Sequence, residues 1–142
     1  MSLAELVAEL DLVSRRRRVA LDVTSGAFVE LAGDRGDAAQ TARVDLGELV
    51  LLPRVEDLAE TELARRFAQL RGDPEQRETL LWALRGSGSL VCFRDAARRL
   101  AVLDEWTFER NRHIAEWAVR WLDRNALDYH RDLPRWGRLR RV

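Results

Sequence analysis

The sequence has no lysine; all 24 of its basic residues are arginine. That excludes any chemistry needing an ε-amine, Schiff-base formation and amine nucleophiles among them. Its single cysteine, Cys92, excludes an internal disulfide. There are two histidines, His113 and His130, well separated along the chain. No HExxH, CxxC, GxSxG, P-loop or GxGxxG spacing occurs. No spacing among the 24 carboxylates singles out a metal set or an acid/base pair. No apolar run approaches the roughly 20 residues of a membrane span, and the N-terminus has no charged-then-apolar leader pattern. An excess of one charge is also missing: 24 basic residues face 24 acidic ones, for a net charge of +0. Strong nonspecific nucleic-acid binding is thereby disfavoured, although a local arginine patch can still supply it. The expectation is a cytoplasmic protein with no cofactor, no metal and no membrane partner.

What is present fits a soluble globular chain. Its 142 residues are 46% hydrophobic and 34% charged, enough to bury a core without a metal or disulfide. Residues 1–129 read as one domain. Residues 130–142 read as a basic tail, with five Arg against one Asp and Trp136 as an anchor should the tail pack. Leu3, Leu6, Val7 and Leu10 recur at helical spacing, and Ser2 with Glu5 forms a capping-box signature. The four-arginine run Arg15–Arg18 follows and leads into a strand. Val19, Leu21 and Val23 alternate with Ala20 and Asp22; Thr24, Ser25 and Gly26 signal a turn; Ala27, Val29 and Leu31 alternate in return. This predicts a β-hairpin with one apolar face, which needs a third strand or a helix to cover it. Leu49–Leu52, closed by Pro53, is the candidate third strand, and the polar stretch from Gly33 to Gly47 reads as a mobile loop. A helix is expected over Glu56–Arg71, with Ala59, Leu63, Phe67 and Leu70 inward. Asp73 and Pro74 then start a helix that buries Leu80, Leu81 and Leu84. Ser89 caps a helix with the stripe Phe93, Ala96, Ala97 and Leu100, and Asp104 caps a last long helix reaching about Asn125.

F-R-D-A-A-R-R-L at Phe93–Leu100, D-E-W-T-F-E-R at Asp104–Arg110, A-x-x-W-L-x-x-N at Ala118–Asn125 and L-D-V-T-S-G at Leu21–Gly26 stand in order along the chain. Together they resemble the UPF0158 family of uncharacterised bacterial proteins, over roughly residues 10 to 127. The resemblance implies an α+β fold and carries over no catalytic residue. Ala101 stands where the pattern has a turn Gly, and the tail after Tyr129 lies outside it.

Several constellations could carry function. On the last helix Trp106, Ile114, Trp117 and Trp121 share a face, with Arg110 in its middle and His113 at its edge. Trp at this spacing usually forms core. A guanidinium inside an apolar stripe needs a carboxylate or carbonyls; the other reading is a cleft in which Arg110 and His113 hold an anion. On the preceding helix Asp95 can pair with Arg99, while Arg94 and Arg98 sit one turn apart and could grip a phosphate or a partner's carboxylate. The turn Gly86–Ser89 has helix-turn-helix spacing and could offer amides to an anion. Cys92, in the first turn after it, reads as a small buried residue. The expected fold is α+β: a small antiparallel sheet, the N-terminal hairpin plus a third strand, packed against four or five helices. The expected function is a non-enzymatic protein-binding or regulatory module, with Arg94, Asp95, Arg98, Arg110, His113 and Trp136 as candidate binding residues and with self-association open. The alternatives are a nucleic-acid binder using the arginine clusters, and an enzyme with a pocket around Arg110 and His113 acting on an anionic substrate.

Overall fold

In a computed structural model, the described residues are 1–11, 18–33, 36–86 and 89–132, the side chains of 55 and 56 excepted. Trp136, the tail from residue 133, residues 15–17 and residues 87–88 fall outside them. The fold is α+β. The described elements are six α-helices, a 3-10 turn and one three-stranded antiparallel sheet, in the order α1 (Leu3–Asp11), β1 (Val19–Asp22), β2 (Phe28–Glu30), α2 (Ala38–Asp45), β3 (Leu49–Leu51), the 3-10 turn Val55–Leu58, α3 (Glu60–Gln69), α4 (Pro74–Ala83), α5 (Ser89–Arg99) and α6 (Leu103–Arg124). The chain forms two compact units. One holds Met1–Leu58 and the described residues from Ile114 on; the other holds Ala59–His113.

In the first unit the strand order is β2-β1-β3. β1 is therefore the central strand, paired through Ala20 with Val29 on one side and with Leu51 on the other. Both edges of β1 are thus paired, and its two faces are covered as well: Val19, Ala20 and Leu21 are all buried. The expected single apolar face is corrected accordingly: Ala20 packs with Leu31 and Leu49 in one core, while Val23, expected inward, is exposed beyond the strand's end. The hairpin turn is an Asx turn. Asp22 Oδ1 accepts from the amides of Thr24 and Ser25, and Gly26 takes φ +74°, the left-handed conformation glycine tolerates.

The stretch read as a mobile loop contains α2. Asp37 caps it, accepting from the Gln40 amide at 2.8 Å, while Gln40 Oε1 accepts from the Asp37 amide at 3.1 Å, a complete capping box. Gln40 also accepts from the Ala32 amide and donates to the Glu30 carbonyl, fastening the helix to the end of β2. Val44 packs on the Ala20 core. Arg43 donates to Asp22 at 2.9 Å and to Glu48 at 3.1 Å, joining helix, central strand and the approach to β3. The Arg43 hydrogen bond, then the Ser25 amide, hold the Asp22 carboxyl below the usual carboxylate range. At the start of the chain Ser2 Oγ accepts from the Glu5 amide at 3.2 Å. Asp132 accepts from the Ser2 hydroxyl and from the Ala4 amide, and His130 bridges to Met1 and Leu3, so the first residues of the expected tail are tied to α1.

In the second unit the core is built around three rings. Phe93 is fully buried, with Trp106 at 4.9 Å and Phe67 at 6.2 Å, both edge-to-face. Ala64, Ala68, Leu80, Ala96 and Ala97 close the core around them. α3 starts later than expected because Ala59 takes φ +52° and breaks it from the 3-10 turn. Its inward stripe is corrected to Ala64, Phe67 and Ala68 with Leu63 partly buried, whereas Leu70 is 80% exposed and Ala59 is exposed. α4 starts as expected, with Asp73 accepting from the Glu75 amide at 2.9 Å and Pro74 in the first turn. α5 ends in a Schellman turn: the Val102 amide reaches the Ala97 carbonyl and the Ala101 amide reaches that of Arg98. Ala101 supplies the left-handed residue at φ +60°, so the turn keeps glycine geometry without glycine.

Candidate functional site

α4 and α5 pack closely against each other, and their outer side carries the most exposed aromatic residue of the described chain. On α4, Leu80 points into the core and Leu81 and Leu84 reach its edge. Two residues past Leu80 is about 200° around a helix, so Trp82 is turned outward and stands 68% exposed. The Arg85 guanidinium lies 4.5 Å over its ring, a cation–π contact that steadies the indole at the surface. On α5, Phe93, Ala96 and Ala97 face inward, so Val91 (68% exposed), Cys92, Arg94, Asp95, Arg98 and Arg99 face out. Between the two helices runs an open groove of about 740 Å³, lined by Glu78 and Trp82 from α4, by Arg85 just past its end, and by Cys92, Asp95 and Arg99 from α5.

Two expectations are corrected here. Cys92 is exposed rather than buried, because the apolar stripe of α5 begins at Phe93 and leaves its neighbour outside. Asp95 pairs with Arg98, three residues on, at 3.2 Å rather than with Arg99. Arg99 lines the groove.

Arg110 and His113 do not line this groove. Arg110 donates from Nε to one Glu60 oxygen at 3.0 Å and from Nη2 to the other at 3.2 Å, a two-pronged pair with side chains 26% and 15% exposed. Glu60 is the first residue of α3, where a carboxylate also suits the helix dipole. His113 is half-buried one turn further along α6. The six expected binding residues thus divide into Arg94, Asp95 and Arg98 on the open side of α5, Arg110 and His113 on α6, and Trp136 outside the described residues.

Sequence reasoning passed over Trp82. Its position out of phase with Leu80, Leu81 and Leu84 is the signal that marks it as an exposed indole. Among the described residues no group of three or more His, Cys, Asp or Glu side chains is placed to hold a metal ion. No described helix is long and apolar enough to cross a membrane. No family model, no curated protein and no solved structure matches this chain.

Proposed function

We propose that this protein is a non-enzymatic binding or regulatory module of the cytoplasm, and that it takes a protein partner on the α4–α5 face. Trp82 carries the reading. An indole 68% exposed and braced by Arg85, on a face where α5 leaves Val91 equally exposed, gains apolar burial only when something covers it. Trp and Arg are the residue types that dominate interface hot spots. The groove itself is lined by Arg85 and Arg99 against Glu78 and Asp95, and Arg94 and Arg98 add two exposed cations on the outer side of α5. The complementary partner presents an apolar anchor flanked by carboxylates.

The same excess of arginine favours nucleic acid as the second reading. Glu78 and Asp95 weigh against it, since both line the groove and would face the phosphates. The reading of Arg110 and His113 as a catalytic anion pocket is weaker, because Glu60 already accepts two of the guanidinium N–H groups. The ordered segments Phe93–Leu100, Asp104–Arg110 and Ala118–Asn125 support kinship with the UPF0158 family, which adds no assigned activity.

The test uses the purified protein and its Trp82→Ala and Arg99→Glu variants as bait, followed by titration of whatever purified protein the wild type retains. The expected result is a partner whose affinity falls at least tenfold in Trp82→Ala and also drops in Arg99→Glu. Labelled single- and double-stranded oligonucleotides are titrated in parallel at 50 and 200 mM salt. Micromolar oligonucleotide binding that weakens steeply with salt would put the nucleic-acid reading first. Identical retention by wild type and both variants would overturn the α4–α5 face as the site.

A further inference from the structure

The first unit contains a cleft independent of the α4–α5 face. Its floor is the chain leaving β3, at Leu51, Leu52 and Pro53; one wall is Trp117 and Trp121 of α6; Arg18, Arg124 and Asp57 stand around it. Its volume is about 470 Å³, in the range of sites that hold small molecules. We infer that this cleft binds a small planar aromatic anion.

The argument rests on how the side chains are held. Trp117 is half-buried, and its indole Nε1 donates to the Asp57 carbonyl at 3.1 Å, which fixes the ring in its plane. Trp121, one turn on, is buried and supplies the adjoining apolar surface. Pro53 is buried beside the same cleft. A flat ring is the shape that such indole and pyrrolidine surfaces accept best. The cations are placed differently from each other. Arg18 donates from Nη1 to the Leu52 carbonyl, which anchors its guanidinium at the cleft. Arg124 is exposed, its guanidinium 5.9 Å from the Trp117 ring centroid, and it forms no ion pair with any described residue. Asp57, the one carboxylate of the lining, accepts from the Arg54 amide at 2.8 Å. The Arg124 guanidinium beside an indole wall suits a carboxylate or phosphate attached to an aromatic ring: the ring lies along Trp117 and the anion meets Arg124. A nucleotide and an aromatic acid both supply such a ring and anion, and the chemistry of recognition is shared.

The experiment titrates the full chain calorimetrically, at low salt, with adenosine 5′-monophosphate and with indole-3-acetate. Adenosine serves as the uncharged control. The wild type is compared with Arg124→Gln, an exposed change that should leave circular dichroism and melting unaltered, and with Trp117→Phe. At least one anion is expected to bind with a dissociation constant below about 1 mM, the range of small weakly optimised ligands. Adenosine should bind at least tenfold more weakly than its monophosphate if the nucleotide is the ligand, and indole-3-acetate should be the tighter probe if an aromatic acid is. Arg124→Gln should weaken the preferred anion about tenfold, and Trp117→Phe should weaken it while leaving the salt dependence unchanged. If neither anion binds the folded wild type below that level, or if folded Arg124→Gln binds as wild type does, the inference is overturned.

Discussion

Removing the guanidinium of Arg110 separates two accounts of the same residue. Its Nε and Nη2 lie 3.0 and 3.2 Å from the Glu60 oxygens, with side chains 26% and 15% exposed. Two unit charges about 4 Å apart at an effective dielectric near 20 attract by about 4 kcal/mol before desolvation is subtracted. Exposed pairs retain about 0.2–1 kcal/mol, whereas truncating one partner of a fully buried pair costs about 3–5 kcal/mol. A pair this shielded, with two-pronged geometry, should show a coupling of about 1.5–2 kcal/mol. Arg110→Met, which strands the Glu60 carboxylate, should cost about 2–3 kcal/mol, and Glu60→Gln, which keeps one neutral hydrogen bond, about 1–2 kcal/mol. The double variant should lose less than the sum of the two by the coupling energy. Urea unfolding of the four proteins, followed by tryptophan fluorescence and far-ultraviolet circular dichroism, gives the cycle, and coincident transitions license the two-state treatment. A coupling under about 0.5 kcal/mol, or an Arg110→Met protein as stable as wild type, would refute the structural role. A ligand-holding role for Arg110 and His113 would then be the account left standing.

Ala101→Gly should raise stability by about 0.5–1 kcal/mol, since it relieves a β-carbon held at φ +60° in the Schellman turn after α5; thermal melting reads the gain, and a loss would contradict the turn assignment. Phe93→Leu should cost about 1–2 kcal/mol, less than the 3–5 kcal/mol of a Phe-to-Ala change, because it deletes two edge-to-face contacts in a fully buried site; unchanged urea midpoints would show that the ring cluster is not the core. Asp22 has its carboxyl depressed chiefly by the Arg43 hydrogen bond. Its contribution is therefore present above the ordinary carboxylate range and is lost as the pH falls through the depressed folded-state value. Asp22→Asn should lose that contribution already at neutral pH and show a smaller fall in melting temperature on acidification; an unchanged acid profile would contradict the pairing.

The sheet was legible because each strand is short, apolar and bounded by a turn residue: Val19–Asp22 before the Thr24–Gly26 turn, and Leu49–Leu51 before Pro53. That β1 is central, with Ala20 buried on the second face, was hidden by the small size of alanine. α2 was missed because glycines bracket it and it buries no residue fully, yet Asp37 and Gln40 stood at capping-box spacing and were the readable signal. The stripe of α3 was misphased because a helix begun at Glu56 and one begun at Glu60 turn different residues inward, and nothing in the sequence announces that Ala59 adopts a left-handed conformation. At the candidate site, the exposed side of α5 followed from its stripe, and Arg94, Asp95 and Arg98 lie on it as expected. Trp82 did not follow, because aromatic residues at helical spacing are read as core, and its exposure becomes visible only once Leu80 fixes the phase of α4.

The claim that a partner covers Trp82 can be tested from inside the groove. Cys92 is the chain's one thiol, it is exposed, and it lines the same groove as Trp82. A benzophenone maleimide attached to Cys92 and irradiated in a lysate of the protein's own source should yield a discrete cross-linked protein. Unlabelled wild type should compete it away, unlabelled Trp82→Ala should not, and carrying Trp82→Ala on the labelled protein should abolish it. A cross-link that persists with Trp82→Ala, or none at all from a fully labelled and folded wild type, would contradict the α4–α5 face as the binding surface.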